Sequence, residues 1–434
     1  MRRIVPGLPL LALAFASPLA SAAPVTATLN YRLDSSDNLL KTSSNADRAL
    51  RHVPSVDLQW RRITENLRAN AAYSVSLRRY SNLASDLPEE SVAPGSMSLG
   101  ADLFGDRLTV TASHVRSEAL GDIRQVDTPD NRSETDQFVL QARYTPSPNP
   151  AGGWYLQTDA ERSVSSGIIV DSRRVQGTLG FLRRSASGSS WGFDVRSQRV
   201  EFDNPALTDV DTREMAVSIQ RVLDRVTLSA RIGTNEFDRP GQDANSGTLA
   251  ELSASWRPTP QRTFSVAYNQ RFSDRSLQGR GVPLTEQTRA DGLFGEALEN
   301  GSVFEERSLQ FAWNETRAKL SGGITLAFSE AEFDGAGADR EFANLQTRLG
   351  WRFTRRLDFF ANANLRRQEV DIREDDRIQV TAGVNLRFGR DTRLRYGYQY
   401  EEQDSNGGVD FVERLVFMQL SHTFARQRGG GVRR

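Results

Sequence analysis

Apolar and polar residues alternate along the last hairpin of the chain, from Arg393 to Phe424. One face carries Leu394, Tyr396, Tyr398 and Tyr400 on the first arm and Val416, Met418, Leu420 and Phe424 on the second. The opposite face carries Arg395, Gly397, Gln399 and Glu401, then Phe417, Gln419, Ser421 and Thr423. A repeat of two residues predicts β-strands. An apolar face opposite a charged face is typical of a strand between lipid and water.

The same alternation recurs in twenty segments that begin at Val25, and the links between them are alternately long and short. The nine short links lie near residues 62–66, 104–107, 145–153, 183–190, 221–225, 257–262, 314–317, 354–356 and 389–392. The pattern predicts an all-β fold, a single transmembrane antiparallel up-and-down barrel with short periplasmic turns and long extracellular loops. One misread hairpin would change the number of strands to 18 or 22.

All six tryptophans lie within about three residues of a short link. They are Trp60, Trp154, Trp191, Trp256, Trp313 and Trp351. Aromatic side chains gathered at one level predict a girdle at a membrane interface. The alternative is a soluble β-protein, whose core aromatics would be spread along the strands.

The N-terminus has the features of a secretory signal peptide. Arg2 and Arg3 precede a short apolar run, and Ala20-Ser21-Ala22 fits the small-x-small cleavage pattern. We therefore expect a cleaved signal peptide at 1–22, an outer-membrane barrel at 23–424 and a basic, glycine-rich tail at 425–434. The predicted location is the outer membrane of a Gram-negative bacterium.

The composition narrows the chemistry. The 434 residues include 55 basic and 55 acidic side chains, no cysteine and only three histidines. Zero net charge disfavours a nucleic-acid partner, and the absence of cysteine excludes disulfides and thiolate sites. We expect no cofactor and no metal site. No enzyme motif is present, and His52, His114 and His422 are interpreted as isolated polar residues, so we expect no enzymatic activity.

The predicted inward-facing positions are mostly small and polar, with charges of both signs. The acidic ones gather in the middle strands (Asp159, Glu161, Asp194, Glu214 and Glu251) and the basic ones in late strands (Arg348, Arg352, Arg366, Arg387 and Arg395). Strands ten apart in a twenty-stranded barrel face each other, so one hypothesis is a field across the pore. The alternative is a set of local cross-strand ion pairs. The longest link, 273–304, is either a plug that folds inward or an outer loop.

Three stretches carry a family resemblance: YRLDSSDNLLKTSSNADRALRHVPSVDLQW near the N-terminus, LFGDRLTVTASH, and YEEQDSNGGVDFVERLVFMQLSHTF. They resemble the outer-membrane barrels associated with exosortase/PEP-CTERM and exopolysaccharide loci and, more broadly, the β-barrel porins. The resemblance implies a porin-like passage for polar solutes or an accessory role in a polysaccharide or protein-sorting system. The alternatives are a non-conducting assembly barrel that acts through partner proteins and, more remotely, an outer-membrane hydrolase.

Several partners follow from these interpretations. They are outer-membrane lipid, polysaccharide or export-system proteins, and the barrel assembly machinery. That machinery reads a C-terminal aromatic residue, which Phe424 resembles, although ten residues follow Phe424 here. Asp37 and Asn38 are the best matched positions of the resemblance, and we expect them to form an Asx-type turn after the first strand.

Overall fold

The computed structural model describes residues 25–39, 41–43, 48–81, 89–120, 132–149, 151–166, 171–205, 208–240, 244–273, 304–333, 339–370 and 373–425. The expected signal peptide, the tail beyond residue 425 and the interior of link 273–304 lie outside the described residues. Among the residues that are described, no helix is long and apolar enough to span a membrane.

The described chain forms one antiparallel sheet of 21 strands. They are β1 (Val25–Ser36), β2 (Ala49–Ile63), β3 (Leu67–Ser81), β4 (Glu90–Val92), β5 (Gly95–Leu103), β6 (Leu108–Leu120), β7 (Arg132–Tyr144), β8 (Gly152–Ser166), β9 (Ser172–Arg184), β10 (Ser190–Phe202), β11 (Val210–Val222), β12 (Val226–Asp238), β13 (Asn245–Thr259), β14 (Arg262–Ser273), β15 (Phe304–Thr316), β16 (Leu320–Phe333), β17 (Arg340–Arg352), β18 (Leu357–Val370), β19 (Arg373–Phe388), β20 (Thr392–Ser405) and β21 (Phe411–Ala425).

The sheet closes on itself because β1 pairs with β21, from Thr26 opposite Ala425 to Ser36 opposite Leu415. Strands β4 and β5 pair with β3 in one continuous register and occupy a single position in the wall. Pro94 lies between them and has no N–H to donate to the ladder, which interrupts the strand. The wall therefore has 20 positions, here called staves, which confirms the predicted barrel.

Some predicted links are shorter in the structure. Asn314 to Thr316 belong to β15, and the turn to β16 starts at Arg317. Strand β13 continues to Thr259, with a register shift after Trp256 that accommodates Pro258. The two end residues of the predicted link 273–304 pair with each other as parts of β14 and β15. Alternation of apolar and polar residues does not detect these ends, because the outermost residues of a strand extend beyond the membrane.

One face of the wall carries a continuous apolar band. On β19 this face runs from Ile378 through Val380, Ala382, Val384 and Leu386 to Phe388. Ten residue steps of about 3.3 Å, tilted by about 45°, span about 23 Å, close to the roughly 25 Å apolar band of outer-membrane barrels. Asp376 and Glu374 continue the same face toward the long links. The band therefore ends at a charged rim on that side.

The tryptophans lie at the other end of the band, beside the short turns. The side chains of Trp154, Trp191, Trp256 and Trp351 are about half exposed and contact neighbouring phenylalanines. For example, the rings of Trp256 and Phe264 stack with centroids 5.3 Å apart. An amphipathic ring is favourable at a membrane interface, and the role of these rings as a girdle there stays a prediction.

Candidate functional site

The polar face of the wall encloses the interior of the barrel. Large apolar side chains on the other face, such as Phe193 and Val195 of β10, are 37% and 42% exposed. Their neighbours Asp194 and Gln198 are 9% and 5% exposed. Side chains diverge on a convex surface and converge on a concave one, so the crowded polar face is the inner face. We treat this inner wall as the candidate site.

The strand register places all ten residues predicted to line the lumen on this inner face. Asp159, Glu161, Asp194, Glu214 and Glu251 lie on β8, β10, β11 and β13. Arg348, Arg352, Arg366, Arg387 and Arg395 lie on β17 to β20. What these residues do for a solute stays a prediction.

Arg231 on β12 brings three of the acidic residues together. Its Nη2 donates to Asp194 at 2.8 Å and to Glu214 at 3.2 Å, and its Nη1 lies 3.6 Å from Glu251. Arg196 lies 3.3 Å from Glu214. Arg231, which the sequence analysis did not single out, therefore lies at the centre of these acidic residues.

Asp159 is held by neutral groups. The side-chain amides of Gln141, Gln157 and Gln176, on three adjacent strands, donate to its carboxylate at 2.7, 3.2 and 3.0 Å. The carboxylate is almost fully buried, and hydrogen bonds of this kind offset the cost of removing it from water. The three glutamines were not predicted, because only the register brings them together.

Glu161, two residues farther along β8, has a cation nearby. Arg174 Nη1 lies 3.6 Å from its carboxylate, and Gln137 donates to it at 2.6 Å. Both Glu161 and Arg174 are buried.

The arginines of the late strands are held partly by carboxylates and partly by rings. Arg387 donates to Asp358 at 2.6 Å, and Arg352 lies 3.6 Å from the same carboxylate. The guanidinium of Arg366 lies 5.1 Å from the centre of the Phe342 ring, and that of Arg395 lies 4.2 Å from the Phe360 ring. A guanidinium over an aromatic face keeps its charge and is oriented by the ring.

The two predicted arrangements of the inner charges, a field across the pore and local ion pairs, act over different distances. Twenty staves spaced about 4.8 Å apart and tilted by about 40° give a barrel about 40 Å across. Opposed side chains across such a lumen are separated by more than the Debye length of about 8–10 Å. The local ion pairs of the inner wall are about 3 Å long, so they dominate its energetics.

A groove of about 530 Å³ runs along the inner face of β10 to β14. Arg231 and Glu251 line it together with apolar residues such as Leu252 and Ala267. The hydroxyl and amide side chains of the lining belong to Ser190, Ser218, Gln220, Ser229, Ser253 and Asn269. The volume lies in the range of about 300–1,000 Å³ typical of small-molecule sites.

A second polar cluster lies beside the seam between β1 and β21. Asn38 donates from its side-chain amide to the carbonyls of Thr42 and Val412, and its Oδ1 accepts from the Thr42 N–H. Asp37 accepts from the Arg414 N–H. The two residues therefore attach the segment to β21 as well as turning the chain, which extends the Asx-type role we expected.

This turn places Lys41, which the sequence did not single out, among buried carboxylates. Its Nζ lies 2.7 Å from Glu401 Oε1 and 3.9 Å from Glu413 Oε2. Arg377 also donates to Glu401, and Gln379 donates to it at 3.1 Å. Lys41 has a φ of 52°, which is uncommon outside glycine and indicates that its surroundings fix the turn.

The three histidines have polar partners in the structure. His114 lies between Tyr73 OH, at 2.6 Å, and Asp136, at 2.9 Å, and stacks on Phe138. An acidic partner for His114 was missed because 22 residues separate it from Asp136. Ser113 points to the opposite face of β6. His52 bonds Tyr31 at 2.7 Å, and His422 bonds Thr392 at 2.8 Å. Within the described ranges, no group of His, Asp and Glu side chains is arranged to hold a metal ion.

No protein-family model and no curated protein matches the chain. Several solved structures are similar to it in fold. The FrpB iron transporter from Neisseria meningitidis is 10% identical, with a TM-score of 0.52 over 95% of this chain and 83% of that chain. A variant of the ferric enterobactin receptor from Pseudomonas aeruginosa is 10% identical, with a TM-score of 0.50 over 93% and 82%.

The chain has the fold of an outer-membrane β-barrel. At this level of identity the likeness concerns the fold alone. The closed wall, the apolar outer band and the tryptophan girdle are the features that suit this fold to a membrane.

Proposed function

We propose that the barrel is a porin-like passage for polar solutes across the outer membrane. The observation that supports this role is the inner wall, on which polar and charged side chains alternate with the outer apolar positions on one strand after another. A barrel about 40 Å across has room for solutes after its side chains are placed. Passage requires no covalent chemistry from the chain, and we propose no enzymatic activity.

A narrower role is an accessory function in an exopolysaccharide or PEP-CTERM surface system. The resemblance noted at Asp37 and Asn38 suggests this role, and the groove on β10 to β14 supports it. Its hydroxyl and amide groups both donate and accept hydrogen bonds, as the hydroxyls of a sugar do. Polysaccharide, export-system proteins and the assembly machinery are the partners we propose.

Single-channel conductance in a planar bilayer tests the passage. The refolded mature chain is compared with a variant in which residues 274–303 are replaced by a short glycine-serine linker. Because β14 and β15 pair directly at Ser273 and Phe304, the linker preserves the wall. We expect steady conductance steps from the intact chain.

The other outcomes separate the alternatives. Steps that arise only after the replacement would indicate a gated passage closed by that link. No steps from either folded protein would contradict the passage and favour a non-conducting assembly barrel. Hydrolysis of a lipid ester that is lost in His114→Gln would contradict the absence of enzymatic activity.

A further inference from the structure

Arginine is concentrated on one part of the inner wall. The inner face of β17 to β20 carries nine arginines and three carboxylates, Asp358, Asp375 and Glu401, which is a net formal charge of +6. The nine arginines are Arg340, Arg348, Arg352, Arg366, Arg373, Arg377, Arg387, Arg393 and Arg395. We call this surface the arginine wall.

Another part of the inner wall is balanced. The inner face of β8 to β13 carries five carboxylates and five arginines, so its net formal charge is zero. The positive excess is therefore a local property of four adjacent strands, in a chain whose total charge is zero.

The arrangement of these arginines costs stability. Arg366 lies directly opposite Arg377, and Arg387 lies directly opposite Arg393. Like charges at directly opposed positions destabilise a sheet. A wall with only a structural role does not need directly opposed arginines, because Gln or Thr at these positions is also compatible with a water-filled interior.

Several of these arginines are oriented by aromatic rings or are exposed on the inner face. The Phe342 and Phe360 rings orient Arg366 and Arg395, and the ring centre of Phe417, on the adjacent strand β21, lies 5.5 Å from the Arg395 guanidinium. Arg348 and Arg393 are exposed on the inner face. A guanidinium with exposed N–H groups binds the oxygen pairs of carboxylate and phosphate groups.

Resting on the proposed passage, we infer that the arginine wall is a track for anionic solutes that bear carboxylate or phosphate groups. The lumen is wide relative to the Debye length of about 10 Å at 0.1 M salt, so the field acts near this wall. The barrel then selects anions at low ionic strength, and the selectivity falls as salt is added.

Two matched double variants test the track. Arg348→Gln with Arg393→Gln removes two exposed arginines from the wall, and Arg184→Gln with Arg257→Gln removes two exposed arginines from the balanced side. Both variants lose the same charge. We expect the chloride-to-potassium permeability ratio, measured from reversal potentials in a KCl gradient at low salt, to exceed one in wild type. It falls toward one in the first variant and changes little in the second.

Binding of pyranine, a trisulfonated dye, to the detergent-solubilised barrels gives a readout that does not depend on conductance. Fluorescence anisotropy at low salt is expected to show several-fold weaker binding to the Arg348/Arg393 variant only, and inorganic phosphate but not maltose competes. Cation selectivity, equal effects of the two variants, or equal dye binding would overturn the track. If the barrel does not conduct but the dye still binds more weakly to the Arg348/Arg393 variant only, the passage is contradicted and the anion-binding site is supported.

Discussion

The ammonium group of Lys41 lies 2.7 Å from Oε1 of Glu401, although 360 residues separate them in the chain. Lys41 follows β1, and Glu401 lies near the end of β20, so the contact spans the first and last parts of the barrel. Both side chains are buried. The contact therefore ties together the two ends of the wall where the sheet closes.

Lys41→Met is expected to destabilise the barrel. Removing one partner of a buried ion pair typically costs about 3–5 kcal/mol, and we expect the lower part of this range because Arg377 still donates to Glu401. Urea unfolding in detergent, followed by tryptophan fluorescence, measures the loss. Lys41→Met with Glu401→Gln should recover part of it, and a loss unchanged by the second substitution would argue against the pair.

Two adjacent residues of β13 test which face meets lipid. Leu252 faces outward within the apolar band, and Ser253 faces the lumen. Leu252→Arg should cost about 2–4 kcal/mol, as a charge on the lipid face does, whereas Ser253→Arg should change stability little. Folding titrations into lipid vesicles measure both variants. Equal costs would contradict the assignment of the faces.

Arg231→Met should leave the carboxylates of Asp194, Glu214 and Glu251 close together without their shared cation. We expect a loss on the order of 2–4 kcal/mol, since two of the three carboxylates are largely buried. The same unfolding assay applies. The control is Arg257→Met, an exposed substitution on the same inner face, for which we expect less than about 0.5 kcal/mol.

Asp203, just beyond β10, gives a pH-dependent prediction. A hydrogen bond from Arg162, together with the charge of that guanidinium, lowers the pKa of the Asp203 carboxyl below its ordinary value. A lowered pKa contributes stability above the unfolded-state pKa, and the contribution is lost as the pH falls through the folded-state pKa. The pair is exposed, so Asp203→Asn should cost less than about 1 kcal/mol at neutral pH.

The check is the stability difference between wild type and Asp203→Asn as a function of pH. It should vanish once the pH lies below the folded-state pKa of Asp203. A difference that grows on acidification would contradict the assigned direction.

Much of the fold was predictable because a membrane barrel repeats one simple rule. Side chains along each strand face lipid and water in turn, so the sequence of β13 alone indicates that Leu252 and Trp256 face outward. The same alternation was the reason for assigning the ten predicted lumen residues to the inner face. The split of one stave into β4 and β5 follows from Pro94, a local feature that alternation alone does not detect.

The partners of the inner residues were not predictable. Gln141, Gln157 and Gln176 meet at Asp159 only because three strands adopt a particular register, and a shift of one residue would turn them to the other face. The contact of Asp136 with His114 depends on strand register in the same way, and so do the contacts of Arg231 with its three carboxylates.

The sequence by itself determined the alternation, the girdle level, the order of long and short links and the balance of charge, since each is a local property of consecutive residues. Only the tertiary structure decided the closure of β1 on β21, the burial of Lys41 and the contacts of the inner charges. These depend on which strands are neighbours and in what register, and residues hundreds of positions apart then share one surface.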